Sequence, residues 1–121
     1  MRRSCRRLLK SLSDVCVTSS NAVKIVKSLP QKNILFIPDQ NLGSFVAAAA
    51  PEKTFYYSGG YCPVHAFLLA DDVAREKRAH ASALVLTHPE CTREVRALSD
   101  YVGSTAGIIS YAEKSDAEEF I

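Results

Sequence analysis

LSDVCVTSSNAVKIV (residues 12–26) and LSDYVGSTAGIISYA (98–112) align without a gap at an offset of 86 residues. Leu-Ser-Asp is identical in the two, a short apolar run follows, and Ser19 then stands against Thr105 at the start of a small-residue helix pattern. Upstream, Arg7 faces Arg93, Leu9 faces Val95 and Lys10 faces Arg96, so residues 7–14 read as the end of a helix. Self-similarity at this spacing implies duplicated α/β units.

The rest of the chain fits that unit, because β-branched runs alternate with helical patterns as in a parallel α/β sheet. Val15–Thr18 reads as a strand with Cys16 in its core, and Ser19 or Ser20 as the cap of the next helix. Ile34–Ile37 is a continuous apolar run, which predicts a strand buried on both faces. A helix through Phe45–Ala50 stops at Pro51, Thr54–Tyr57 is the next strand, and SGGYCPVH follows as a loop. Tyr56 and Tyr57 read as packing residues. A helix beginning at Asp71 and Asp72, a strand at Ala83–Thr87, a helix at Thr92–Leu98 and a strand at Tyr101–Gly103 lead to a last helix opening at Ser104 or Thr105. The repeat also predicts a strand before residue 7, where MRRSCR is not one, and another near the closing AEEFI. The expected result is apolar surface and open strand edges at the front, in a chain that looks cut from something larger.

Composition narrows the function classes. The 47% hydrophobic and 23% charged fractions are those of a globular chain, and no apolar run approaches the roughly 18 residues of a membrane span. Net charge is +2, but Arg2, Arg3, Arg6, Arg7 and Lys10 precede the first acid, leaving ten basic residues against thirteen acidic ones. A basic face with stacking aromatics is not indicated, so nucleic acid is not an expected partner. The opening segment has the composition of a transit peptide, yet the repeat claims residues from Arg7 onward for the domain. Four cysteines with no CxxC pair and no export signal predict reduced thiols or a metal site assembled from distant segments.

In parallel α/β sheets ligands bind beyond the C-terminal ends of the strands, and five segments fall there. TSSNA (18–22) and GSTAG (103–107) place hydroxyls and free N–H groups at helix starts, which suits a phosphate or carboxylate as well as plain capping. HPEC (88–91) offers His88 and Glu90 for proton exchange, with Cys91 at a helix start expected to lower its pKa. PDQNLG (38–43) reads as a structural turn capped by Asp39. GGYCPVH (59–65) presents Cys62 either as a packed thiol or as a ligand, with His65 three residues on.

VTSSNAVKIV, FIPDQNLG, GYCPVH, HPEC and VGSTAGII, in this order, resemble the signature runs of the quinolinate synthase family over about residues 9–121. The resemblance implies three similar αβα domains around a pseudo-threefold axis, sharing one 4Fe–4S cluster held by a cysteine from each. Cys62 then matches a cluster ligand, while Cys91 does not. His65, His88 and Glu90 match residues that handle substrate and protons, and Ser19, Ser104 and Thr105 match hydroxyls that hold carboxylate or phosphate. The implied reaction condenses iminoaspartate with dihydroxyacetone phosphate, in the cytoplasm, with L-aspartate oxidase as a possible supplier of iminoaspartate.

The chain departs from that pattern in several places. An HYY-type segment and the cysteines of the first and third domains have no counterpart here. Arg2 and Ser4 stand where a Tyr-x-Asn turn is expected, so residues 1–6 read as foreign. Residues 1–62 are expected to form most of a middle domain and 63–121 the first half of the next, a fragment inactive alone. Two rivals compete with this reading: a phosphorylated-metabolite-binding module, and a thiol enzyme using Cys62 with His65 or Cys91 with His88.

Overall fold

The computed structural model describes residues 2–121, with side chains from Arg7 onward, so Cys5 and the expectations for Arg2 and Ser4 lie outside the described side chains. Helix α1 (Arg2–Ser11) leads into an extended segment and α2 (Ala22–Ser28). Strand β1 (Asn33–Phe36), α3 (Gln40–Ala49) and β2 (Thr54–Tyr57) complete a front unit. The rear unit comprises α4 (Pro63–Ala66), α5 (Ala70–Ala79), β3 (Leu86–Thr87), α6 (Arg93–Ala97), β4 (Tyr101–Val102) and α7 (Thr105–Lys114). The architecture is α/β with parallel strands flanked by helices: β1 pairs in parallel with β2, and β3 with β4. No described helix is long and apolar enough to cross a membrane.

Each sheet has its own core. Ala22 and Val26 of α2 meet Phe36 of β1 and Leu42, Val46 and Ala50 of α3. Gly43 permits the close approach of α3, since a Cβ there would stand 2.6 Å from the Tyr57 ring. In the rear, Val73, Val85, Cys91 and Val95 pack together with Leu98 and Ile121. Asp39 caps α3 as expected, its Oδ1 accepting from Leu42 N at 2.8 Å. Thr92 and Ser104 cap α6 and α7 in the same way.

Several expectations fail, mostly in the front unit. Val15–Thr18 is not a strand and Cys16 is exposed rather than core, because the segment has no hydrogen-bonded neighbour among the described residues. A groove of about 420 Å³, lined by Leu12, Val15 and Val17 on one side and Ile34–Ile37 on the other, separates it from β1. β1 is not buried on both faces: Ile34 and Phe36 face the helices, but Leu35 is 68% exposed beside its register partner Tyr56 at 55%. The tyrosines are thus partly exposed, although Tyr57 stacks on Phe55 at 6.3 Å. Neither Ser19 nor Ser20 caps α2; Asn21 occupies that position, its Oδ1 taking the Thr18 N–H at 2.7 Å. The GGYCPVH loop contains α4, which Pro63 starts and Cys62 precedes as N-cap residue. In the rear, the closing segment does add to the sheet, as Leu84 N donates to Glu119 O and Ile121 N to Leu84 O.

Candidate active and metal-binding site

The C-terminal ends of both sheets carry the candidate loops. Gly59 adopts φ +76, a left-handed conformation suited to glycine. Gly60 lies so close to Pro38 O that a Cβ would collide with it, and its own carbonyl accepts from Gln40 N at 2.8 Å. Buried Asp39 then joins the two loops: while Oδ1 caps α3, Oδ2 accepts the Cys62 N–H at 2.6 Å. This fixes the backbone of Cys62 and leaves its thiol partly exposed.

One turn later, His65 Nδ1 lies 3.1 Å from Cys62 Sγ and 3.2 Å from Glu90 Oε2. Glu90 comes from the loop after β3, so residues from both units converge on one imidazole nitrogen. His88 completes the group, its ring stacked on that of His65 at 4.6 Å and its Nδ1 accepting from Glu90 N at 3.3 Å. Burial pushes the His88 pKa below its usual value, against the pull of Glu90, so the ring stays neutral further into the acidic range. A donor atom from each of Cys62, His65 and Glu90 lies within 4.8 Å of the others, a set able to relay a proton or hold a metal ion.

Arg96 ties the loops from behind. Its Nη1 donates to Pro89 O at 2.8 Å and to Asn41 O at 2.6 Å, and its Nη2 to Ser44 Oγ at 2.8 Å. The guanidinium also lies over the Phe45 ring at 5.7 Å. Neither this strap nor the second bond of Asp39 was visible in the sequence. Asp39 carried a capping signal only, and Arg96 resembled any solvent-facing helical arginine.

The remaining expected residues are less gathered. Gly103 N donates to Thr87 O at 3.0 Å, which puts Ser104 and Thr105 on the same sheet edge as His88. Ser104 Oγ accepts from Gly107 N at 3.2 Å, whereas Thr105 is exposed. Ser19 lies in the loop before α2, with no hydrogen bond among the described residues joining it to the Cys62 or His88 loops. Cys91 is corrected in its chemistry: it is 4% exposed in the rear core, and burial pushes its thiol pKa up rather than down.

Comparison with known proteins shows what the chain as a whole is similar to. A family model described as Quinolinate synthetase A protein matches residues 4–121. Quinolinate synthases of Geotalea uraniireducens and Geobacter metallireducens are 51% and 50% identical over 113 residues, 93% of this chain. One from Clostridium perfringens is 44% identical over the same length. The chain spans between a third and two fifths of these relatives, 37% of the first two and 38% of the third. With nearly its whole length matched, the chain belongs to the quinolinate synthetase A family.

Proposed function

We propose that this chain is the central portion of a quinolinate synthase of cytoplasmic NAD biosynthesis, with residues 1–62 from one αβα domain and 63–121 from the next of a triplicated fold. The reaction joins iminoaspartate to dihydroxyacetone phosphate and yields quinolinate, phosphate and two waters. L-Aspartate oxidase is the proposed source of iminoaspartate. The observation that carries this reading is the convergence of Cys62, His65 and Glu90 from loops of both units.

The donor chemistry fits an iron–sulfur cluster in part. Cys62 offers a partly exposed thiol on a fixed backbone, the soft donor such clusters take. Cys91 is buried in the rear core and Cys16 sits on the open front segment, so neither is proposed as a second ligand. A 4Fe–4S cluster held by Cys62 and two cysteines outside this chain would supply a Lewis-acidic iron. The chain's own residues handle protons: His88, kept neutral by burial and with Nδ1 accepting from Glu90 N, carries its proton on Nε2 and offers it to substrate, with Glu90 beside it. His65 Nδ1 passes a proton between the Glu90 carboxylate and the site. Thr105 and Ser104, at the start of α7, hold a carboxylate or phosphate with the help of the helix N-terminus; Ser19 is proposed to do so from the loop before α2.

The test replaces the matching third of the Geotalea uraniireducens enzyme with the matched residues of this chain. After anaerobic reconstitution with iron and sulfide, the chimera is expected to show cluster absorbance and form quinolinate. Cys62→Ser in that chimera should remove both, and the 121-residue chain alone should make no quinolinate. A cluster that survives Cys62→Ser would refute the ligand assignment.

A further inference from the structure

We infer that the groove between residues 15–17 and β1 is a docking slot for one extended strand, parallel to β1 and supplied from outside residues 1–121. The inference rests on the repeat and the backbone, not on the cluster reading. The offset of 86 continues without a gap past the helices, since α2 ends at Ser28 and α7 at its counterpart Lys114. Residues 33–35 of β1 then fall on residues 119–121.

In the rear unit, residues 84–87 run between the two counterparts and bond to both. Leu84 N donates to Glu119 O at 3.1 Å, Ile121 N to Leu84 O at 2.9 Å and Leu86 N to Ile121 O at 2.9 Å. On the other side, Asp100 N donates to Val85 O at 2.9 Å and Gly103 N to Thr87 O at 3.0 Å, while Asp100 Oδ2 accepts from Val85 N at 2.8 Å.

The front unit has both flanking edges and, among the described residues, no strand between them. Lys32 O accepts from Thr54 N at 2.8 Å, so the even-numbered residues of β1 direct their backbone groups at β2. Asn33 and Leu35 therefore direct theirs at the groove. Across it, Asp14, Val15 and Val17, the counterparts of Asp100, Tyr101 and Gly103, make no backbone hydrogen bond among the described residues. Leu9 agrees with this: it is 39% exposed, whereas its counterpart Val95 is fully buried in a core with Val85.

Two facing open edges take up a strand through main-chain bonds, and the lining selects its side chains. Asp14 is the only charged residue of that lining. A charged side chain buried among Val26, Ile34 and Phe36 would lose its water without gaining a partner. The occupant is therefore an uncharged segment of leucine and β-branched residues, matching the four residues of β1. Its second residue offers an N–H to Asp14, as Val85 does to Asp100. Its C-terminal end emerges at the edge that carries Ser19 and Asp39.

The test adds a peptide with the sequence of residues 82–88, SALVLTH, lysine-tagged at its N-terminus, to the 121-residue chain. Amide exchange read by NMR should show Val15, Val17 and Leu35 gaining protection that saturates at one peptide per chain, with cross-strand contacts of a parallel pair. Asp14→Ala should weaken binding about tenfold, the effect of one hydrogen bond to a charged group. Val15→Pro, which removes one edge N–H, should weaken it with an unchanged circular dichroism spectrum, and Asp116→Ala should leave it unchanged. Val85→Pro in the peptide should abolish binding. No gain in protection at millimolar peptide would overturn the inference. So would protection of the same amides without peptide: independent of chain concentration, it would mean that residues 15–17 pair with β1 directly, and rising with concentration, that a second copy fills the groove. No cluster or substrate enters the measurement, so its failure is distinct from failure of the chimera.

Discussion

The front and rear units contain the same Leu-Ser-Asp segment in two different states. In the rear copy, Asp100 Oδ2 accepts from Val85 N at 2.8 Å and Asp100 N donates to Val85 O at 2.9 Å. Tyr101–Val102 then pairs in register with Leu86–Thr87. In the front copy, Asp14 is exposed and Val15–Val17 runs beside β1 across an open groove without pairing. Local sequence is shared, so local propensity cannot account for the difference. A strand exists where a neighbour supplies the hydrogen bonds, and here only the later copy has one among the described residues.

Arg96→Ala would break the link between the two units and has the largest expected effect. It removes three hydrogen bonds from a charged, half-buried donor and its packing on Phe45, at a cost of about 3 kcal/mol. Urea denaturation would measure that loss, and hydrogen exchange should show α3 losing protection before α6. A change below about 0.5 kcal/mol, typical of a surface residue, would mean that the strap holds nothing.

A matched pair of substitutions sharpens the comparison of the two repeats. Asp100→Ala leaves Val85 N without its side-chain acceptor and should cost about 1–2 kcal/mol. Asp14→Ala, at the equivalent but exposed position, should stay within about 0.5 kcal/mol. Equal effects would show that the front segment is paired in solution after all.

The smallest effect concerns the thiols. Burial raises the Cys91 pKa above its usual 9.0. Below that value the thiol is protonated in folded and unfolded chains alike and contributes no pH dependence. Above it the unfolded chain ionises first, so stability falls as pH rises until the folded-state pKa is passed. Cys91→Ala should flatten this alkaline limb of the stability curve.

What the sequence made legible follows from the range of each interaction. β2 at Thr54–Tyr57 and an α7 start at Ser104 or Thr105 were readable because strand-forming runs and capping act over a few residues, and Ser104 is the cap. The site's loops were readable as strand ends, and motif order pointed to Cys62, His65, His88 and Glu90. Their arrangement was not readable. The His65–Glu90 contact joins residues from different sheets, and the Arg96–Asn41 bond crosses 55 positions with no periodic trace. The predicted strand at Val15–Thr18 failed for the same reason in reverse, since its apolar pattern was present and its partner was not. Cys91 was misjudged because a helix start was visible in the sequence, whereas its burial among Val73, Val85 and Val95 was not.

The Arg96 strap also has a consequence for how this sequence can drift. Two of its three acceptors, at Asn41 and Pro89, are main-chain carbonyls, which any amino acid supplies. Mutation at position 41 can therefore go uncompensated, and only Ser44, whose hydroxyl is the third acceptor, is bound to change in step with position 96. A coupling between the two halves of the protein would then leave almost no covariation signal beyond the one pair of positions 44 and 96.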